Sequence, residues 1–175
     1  KTCAVIVTFN PDLKELSELL ESINGQVEKI FIVDNSSINI NDLRLFILND
    51  LRCQLISLED NKGIAEAQNV GISYAFEAGF TYSLLLDQDS ILSEGMVSEL
   101  LKGFETVANV AAIGPTIKDI RTDNPFKFYL FKRFSFSRFF SRDMSDFFKV
   151  SFLISSGTLV NNEIFSNNKN ISDLF

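Results

Sequence analysis

The sequence predicts an α/β protein with a Rossmann-like, mostly parallel sheet flanked by helices. Two features support this fold class. Short apolar runs of strand length alternate with longer segments in which apolar residues recur at helical spacing. Clusters of polar residues follow the first four apolar runs. Strands that alternate with helices of about 10–15 residues are typical of βαβ units, so these polar clusters should meet at the carboxyl edge of a parallel sheet.

Each predicted strand is a short run of apolar and β-branched residues that ends at a polar loop. The fourth run is the clearest, because three consecutive leucines lead directly into two aspartates. The first five strands are expected over residues 3–9, 29–33, 53–58, 84–86 and 110–114, and a further strand is expected over residues 150–156.

Four helices are predicted between these strands from apolar spacing and from end signals. Pro11 and Asp12 are typical of a helix start, and Gly25 is typical of a helix end. In the second helix, Leu43, Phe46 and Ile47 are expected to face the core. The four helices are expected over residues 12–23, 41–49, 64–78 and 93–107.

The charge of the chain and its lack of histidine narrow the functional classes. Its 175 residues suit one domain, and its formal net charge of −7 argues against a general nucleic-acid-binding role. Because the chain has no histidine, acid–base or metal chemistry must rely on carboxylates. Cys3 and Cys53 lie in apolar, strand-like runs, so we expect buried free thiols in a reducing compartment and no disulfide.

The stretch from Tyr82 to Ser90 carries the main candidate site. Asp87 and Asp89 follow its apolar run and are separated by one residue. In an extended chain, residues two apart point to the same side, so both carboxylates would face one ligand and Gln88 would point away. Such hard oxygen ligands suit Mg²⁺ or Mn²⁺, which in turn suit a diphosphate. The alternative is that the aspartates only cap the loop and the following helix.

A basic, aromatic stretch begins at Phe126 and ends at Lys149. It holds nine of the 18 phenylalanines, and its six basic and two acidic residues give it a net charge of +4, against −11 for the rest of the chain. On an acidic protein, such a patch could face anionic lipid or a lipid-linked acceptor. We expect a cytoplasmic protein, either with this peripheral contact at the inner face of the plasma membrane or with the stretch packed on the sheet or in an oligomer contact.

Four motifs stand in order at the predicted strand ends. They are Val-Thr-Phe-Asn-Pro from Val7, Val-Asp-Asn-Ser-Ser from Val33, Asn-Lys-Gly-Ile-Ala-Glu-Ala-Gln-Asn-Val-Gly from Asn61, and Leu-Leu-Asp-Gln-Asp-Ser from Leu85. Together they resemble the family-two glycosyltransferases of the GT-A fold, with the bacterial dTDP-rhamnosyltransferases of surface polysaccharide synthesis as the nearest branch. The resemblance covers residues 3–160, and residues 154–160 look like the segment that opens the acceptor half. It implies a donor-binding subdomain over residues 1–118 and the incomplete start of an acceptor-side subdomain over residues 119–175.

The resemblance implies donor-binding roles in all four motifs. Asp34 would accept from the N3–H of a pyrimidine, which suits a carboxylate because it only accepts. Lys62 would pair with phosphate, and Asp89 would bind the divalent ion, Mg²⁺ or Mn²⁺. Each residue also has a purely structural interpretation as a turn residue, a loop cap, a solvated lysine or a helix side chain bonded to backbone. The implied nucleotide-sugar-binding residues are Thr8, Phe9, Asn10, Asp34, Asn61, Lys62, Gly63, Asn69, Asp87, Gln88 and Asp89, and the implied metal ligands are Asp87 and Asp89.

The implied reaction is a single inverting displacement at the anomeric carbon of a dTDP- or UDP-sugar. The metal would neutralise charge on the leaving nucleotide, and a carboxylate base would take the proton of a saccharide or lipid-linked acceptor. Glu163 and Asp173 are the only carboxylates after Asp146. We assign the base to neither and expect it beyond Phe175. The chain would then be a donor-binding part with little transferase activity by itself.

Three other functions share parts of this pattern. A haloacid-dehalogenase-like phosphatase could use Asp87 and Asp89, but that family carries its Asp-x-Asp motif on the first strand and needs a lysine and a further acidic pair downstream. A sugar-phosphate nucleotidylyltransferase would need a glycine-rich, basic loop where this chain has Thr-Phe-Asn-Pro. The third is a nucleotide-binding domain without turnover.

Overall fold

The computed structural model describes residues 1–116, 128–132, 135–139 and 147–167. Strands and helices alternate as far as α4, which confirms the predicted α/β class. In chain order the described elements are β1 (Thr2–Thr8), α1 (Leu13–Ser22), β2 (Lys29–Asp34), α2 (Ile40–Ile47), β3 (Cys53–Ser57), α3 (Ile64–Glu77), β4 (Tyr82–Asp87), α4 (Met96–Thr106), β5 (Ala112–Ile113), β6 (Phe128–Lys132), β7 (Ser135–Phe139), β8 (Leu159–Asn161) and α5 (Asn162–Asn167).

Six strands form one sheet in the order β3-β2-β1-β4-β8-β5. The first four strands of the chain are parallel to their neighbours, so their carboxyl ends lie at one edge. The register places Thr8 level with Asp34 on β2 and Val7 level with Asp87 on β4. β8 runs antiparallel between β4 and β5. The sheet is therefore mostly parallel, as predicted, and a strand from the last part of the chain completes it.

Helices cover both faces of this sheet. On one face, Ile6 of β1 and Ile32 of β2 belong to a fully buried cluster with residues of α1, α2 and α4. On the other face, Val5 and Val33 pack beneath α3. The contact with α3 is close because residue 71 is glycine, and a Cβ there would lie 2.3 Å from Val5 Cγ1.

Several details differ from the sequence-based expectations. Phe46 is 37% exposed, whereas Leu43 and Ile47 are buried as expected, so α2 presents a narrower apolar face than its composition indicates. Both thiols are free, but only Cys3 is fully buried, while Cys53 is half-buried. Burial raises the pKa of each thiol to about 12.

The expected strand over residues 150–156 is wrong. That run is irregular, and the strand that joins the sheet is β8, which begins at Leu159. The apolar run instead packs on the β6–β7 hairpin, where Ser151 N donates to Tyr129 O over 3.0 Å and the rings of Phe152 and Tyr129 stack with centroids 5.4 Å apart. This run is therefore held by aromatic packing and one backbone hydrogen bond to β6, and it does not pair as a strand of the main sheet.

The basic, aromatic stretch over residues 126–149 is partly described. β6 and β7 pair antiparallel in a separate two-stranded sheet, and the ring of Phe128 meets Phe148 edge to face at 5.1 Å. Residues 126–127, 133–134 and 140–146 lie outside the described residues. Among the helices of the described ranges, none combines the length and the apolar character needed to cross a membrane.

Candidate functional site

The loops that follow β1, β2, β3 and β4 are joined by hydrogen bonds at the carboxyl edge of the sheet. Phe9 N donates to Gln88 Oε1 over 2.9 Å, which connects the loop after β1 with the loop after β4. Asn10 Oδ1 accepts from Ile38 N at 2.9 Å, which connects the loops after β1 and β2. The loops that carry the four sequence motifs therefore form one continuous surface.

Asp34 is a buried carboxylate at the end of β2, with 1% of its surface exposed. Its Oδ1 accepts from Thr8 Oγ1 at 3.1 Å and also from Ser37 Oγ. Its Oδ2 accepts from Ser37 N at 2.9 Å. Because a carboxylate oxygen can accept two hydrogen bonds, Oδ2 keeps one acceptor position. The contact between Asp34 and a base remains a prediction, and the observed role of Asp34 is to hold the loops after β1 and β2 together.

Asn35 lies at the candidate site, although the sequence analysis did not single it out. It is buried, its Nδ2 donates to Asn61 Oδ1 over 2.9 Å, and its Oδ1 accepts from Lys62 N at 2.9 Å. These two bonds fix the loop between β3 and α3, which then turns at Gly63 with a φ of 82°. The signal was present in the sequence as an asparagine directly after a strand-end aspartate.

Lys62 lies just before α3, and Asn69 lies in its second turn. Lys62 is exposed and makes no ion pair with any residue in the described ranges. Asn69 is half-buried, and its Nδ2 lies 3.5 Å from Glu66 Oε2 on the same helix. Lys62 is therefore placed where an anion could meet it, while the contact of Asn69 with a ligand remains a prediction.

Asp87 ends β4 and is only partly accessible. Its Oδ1 is buried and has no hydrogen-bond partner within the described parts of the chain. Burial, and secondly the negative charge of Asp89, raise the pKa of Asp87. Both effects penalise the ionised carboxylate, so a cation beside Oδ1 would stabilise it.

Asp89 is exposed and lies in a turn, which corrects the expectation of an extended Asp-Gln-Asp strand. Ser90 N donates to Asp87 O over 3.2 Å and closes the turn. Gln88 was expected to point away from a shared ligand, and its side-chain oxygen instead accepts from Phe9 N. The negative charge of Asp89 still contributes to the raised pKa of Asp87.

A segment from the end of the chain lies against this turn. Asp87 N donates to Ser156 Oγ over 3.2 Å, and the hydroxyls of Ser156 and Ser90 are 2.6 Å apart. Gly157 N donates to Leu85 O over 2.7 Å and continues the antiparallel contact of β8 with β4. The segment that the resemblance assigned to the start of the acceptor half therefore borders the candidate site.

Of the two carboxylates discussed as bases, only one can be located. Glu163 is exposed at the start of α5, next to Asn162, whose N donates to Thr81 O over 2.9 Å. Thr81 precedes β4, so Glu163 lies at the amino edge of the sheet, opposite Asp87. Asp173 lies outside the described residues.

The donor set at the turn fits a divalent cation. No group of three or more aspartate, glutamate or cysteine residues capable of holding a metal occurs in the described ranges. Asp87 and Asp89 would thus supply two oxygen ligands and leave the others to a diphosphate and water, as Mg²⁺ sites commonly do. The unpartnered, buried Oδ1 of Asp87 is the observation that supports this fit.

Comparison with known proteins agrees with this geometry. The profile described as glycosyl transferase family 2 matches residues 3–168. The chain belongs to this family. It is 33% identical over 165 residues to the dTDP-rhamnosyl transferase RfbF of Shigella flexneri, a match that covers 93% of this chain and 54% of that protein. The chain thus spans about half the length of this relative. The family match does not favour the phosphatase alternative.

Solved structures confirm the GT-A fold at low sequence identity. Staphylococcus aureus TarS 1–349 has a TM-score of 0.66 and 16% identity, covering 96% of this chain and 49% of that one. The mannosyltransferase PcManGT of Pyrobaculum calidifontis, solved with GDP-Man and Mn²⁺, has a TM-score of 0.68 and 13% identity over 97% of this chain and 46% of that one. GalNAc-T7, solved with UDP, GalNAc and Mn²⁺, has a TM-score of 0.74 and 11% identity, covering 97% and 36% of the two chains.

Proposed function

We propose that this family 2 chain binds the nucleoside diphosphate of an activated sugar, and that the whole protein transfers L-rhamnose from dTDP-L-rhamnose with inversion. The observation that carries the proposal is the set of four hydrogen-bonded loops at the carboxyl edge of the sheet, where open α/β sheets bind ligands. The similarity to a dTDP-rhamnosyl transferase supports the choice of donor. UDP-hexoses are the competing donors.

The nucleoside half of the site is formed by the loops after β1 and β2. Phe9 is 47% exposed and offers an aromatic face to a base, while Asp34 keeps one acceptor position for the N3–H of thymine or uracil. Thr8 and Ser37 hold the carboxylate of Asp34 in one orientation. Preorganisation of this kind lowers the cost of binding.

The diphosphate half is formed by Lys62 and the turn after β4. Asp87 and Asp89 would hold Mg²⁺ or Mn²⁺, and the exposed ammonium of Lys62 would attract a phosphate. When bound, the cation would neutralise charge that develops on the leaving nucleotide. These side chains would orient the diphosphate.

The acceptor is proposed to be a saccharide or lipid-linked saccharide that is deprotonated by a carboxylate. Its approach could involve the basic, aromatic residues 126–149, which we propose as a peripheral membrane contact. Co-sedimentation with liposomes of anionic and of neutral lipid tests this contact, using the chain with and without residues 126–149. Equal sedimentation of both forms with anionic liposomes would rule the contact out.

Calorimetric titration of dTDP, UDP and GDP tests the proposed function, with Mn²⁺ and again with EDTA. We expect the pyrimidine nucleotides to bind more tightly with Mn²⁺ than with EDTA. Asp89→Asn should reduce the affinity in Mn²⁺ by about tenfold or more, since it removes an ionised metal ligand. Preference for dTDP over UDP would support the rhamnosyl donor.

Glu77→Gln is the matched control for this experiment. It also removes one negative charge, from an exposed residue at the end of α3, away from the carboxyl edge. Binding of the control should match that of the unaltered chain. The proposal fails if none of the nucleotides binds in Mn²⁺, or if Asp89→Asn and Glu77→Gln have the same effect.

A further inference from the structure

The backbone that carries Asp87 is held by a side chain from the far end of the chain. Ser156 Oγ accepts from Asp87 N at 3.2 Å although the residues are 69 positions apart in sequence. The antiparallel contact of β8 with β4 proceeds through bonds between Leu85 and both Thr158 and Gly157. Ser156 thus provides, with its side chain, the next hydrogen bond along β4 after this backbone contact ends.

Ser156 also reaches the other end of the turn. Its hydroxyl lies 2.6 Å from that of Ser90, and Ser90 N donates to Asp87 O over 3.2 Å. One hydroxyl therefore contacts both residues that flank the Gln88–Asp89 pair. Movement of Ser156 would change the position of Asp87 relative to Asp89.

The residues that follow Ser156 have a defined backbone conformation. Gly157 has a φ of 84°, a conformation that favours glycine, and a Cβ there would lie 2.9 Å from Pro115 Cγ. Thr158 Oγ1 donates to Ile154 O over 2.7 Å and closes the segment on itself. The backbone bonds of Gly157 and Thr158 with Leu85 hold the segment against β4, so the position of the Ser156 hydroxyl beside the turn does not depend on the Thr158 side chain.

We infer that Ser156 is a positioning residue for the two carboxylates, and that the metal-dependent part of nucleotide binding depends on its hydroxyl. This inference rests on the proposed function. In this scheme the hydroxyl of Ser156 connects its own segment, at the start of the proposed acceptor side, with the turn that would bind the diphosphate. Ser156 itself contacts neither nucleotide nor metal in this scheme.

The test measures how much Mn²⁺ improves the affinity for dTDP relative to EDTA, a ratio obtained for each variant by calorimetry. A purely structural role would lower the affinity in both conditions, whereas a positioning role lowers only the ratio. Ser156→Ala is expected to reduce the ratio about three- to tenfold, in line with the loss of one hydrogen bond. Ser156→Thr keeps the hydroxyl and should restore most of the ratio.

Thr158→Val is the control from the same segment. It removes the internal bond to Ile154 O but leaves the contact of Ser156 with Asp87, so the ratio should stay within about twofold of that of the unaltered chain. Thermal unfolding of each variant verifies that it is folded. If Ser156→Ala does not fold, Ser90→Ala removes the second contact of the same hydroxyl and is expected to lower the ratio as well.

The outcomes separate the inference from the proposed function. If the unaltered chain shows no improvement with Mn²⁺, the proposed function itself fails. If the unaltered chain shows it and Ser156→Ala keeps the full ratio, the inference alone is wrong. The inference is also wrong if Thr158→Val lowers the ratio as much as Ser156→Ala, or if Ser90→Ala, used in its place, leaves the ratio unchanged.

Discussion

Gly71 lies where α3 crosses β1 and β2, and its replacement by alanine should destabilise the domain. The added Cβ would lie 2.3 Å from Val5 Cγ1 and 3.0 Å from Val33 Cγ2, whereas carbon atoms in contact are normally about 3.5–4.0 Å apart. Val5 is fully buried, and its branched side chain has few alternative rotamers. Relief of the clash therefore requires α3 to move away from the sheet by on the order of 1 Å.

Two opposing terms set the size of the effect. Overpacking of a buried site costs about 1–3 kcal/mol. Replacement of glycine by alanine inside a helix returns about 1 kcal/mol. Because the contact with Val5 is so short, we expect the upper part of the cost and a net loss of about 1–2 kcal/mol in the free energy of unfolding. This corresponds to a fall in Tm of about 2–8 °C for a domain of this size.

Urea unfolding followed by circular dichroism measures this loss. Val5→Ala removes the shortest contact, at 2.3 Å, and leaves Val33 Cγ2 at 3.0 Å. Gly71→Ala should therefore cost much less in that background, with a coupling energy of about 1–2 kcal/mol. Ser73→Ala, on the exposed side of α3, should change stability by less than about 0.5 kcal/mol. The close packing of α3 is refuted if Gly71→Ala is as stable as the unaltered chain, or if Val5→Ala does not reduce its cost.

Two further predictions concern ionisable groups. Because the pKa of Asp87 is raised in the folded chain, its ionised form lowers stability increasingly as pH rises from the ordinary carboxyl value of 3.8 through the folded value. Asp87→Asn should therefore raise the unfolding free energy in EDTA near pH 7, with a smaller effect near pH 4. It should also abolish the Mn²⁺ effect on nucleotide binding. Thermal unfolding at both pH values checks the stability change, and a variant less stable than the unaltered chain near pH 7 would contradict it. Cys3 and Cys53, each with a pKa of about 12, should react with a disulfide reagent near neutral pH much more slowly than in urea, and equal rates would show that the thiols are accessible.

The first four strand–helix units could be predicted because their signals are local. Asp12 illustrates this, since the residue predicted to start α1 caps it by accepting from Lys14 N at 2.8 Å. The family resemblance was equally accessible, because its motifs lie at the ends of these well-defined strands. The burial of Phe46 was predicted wrongly. Helical spacing shows which side of α2 is apolar, but it does not show how much of that side the sheet covers.

The later part of the chain depends on contacts that local patterns do not contain. The apolar run at residues 150–156 resembles a strand, but it packs against Tyr129 in a hairpin that precedes it. The strand of the sheet, β8, has three residues and is defined by its partners β4 and β5. Likewise, Ser156 contacts the turn that holds Asp89, and the buried Asp34 accepts from Thr8, each a partner distant in sequence.

The position of β8 between β4 and β5 affects the order in which the sheet can be completed. β1 to β4 can pair as each emerges, but β5 has no neighbour in the described sheet other than β8, which follows it by 45 residues. A nascent chain would expose the edge of β4, with its unpaired N–H and C=O groups, until residue 161 had been made. We therefore expect β5 and β8 to gain protection from amide hydrogen exchange after β1 to β4 during refolding. The pairing of β8 would thus complete the sheet last, and it would bring Ser156 to Asp87 in the same step.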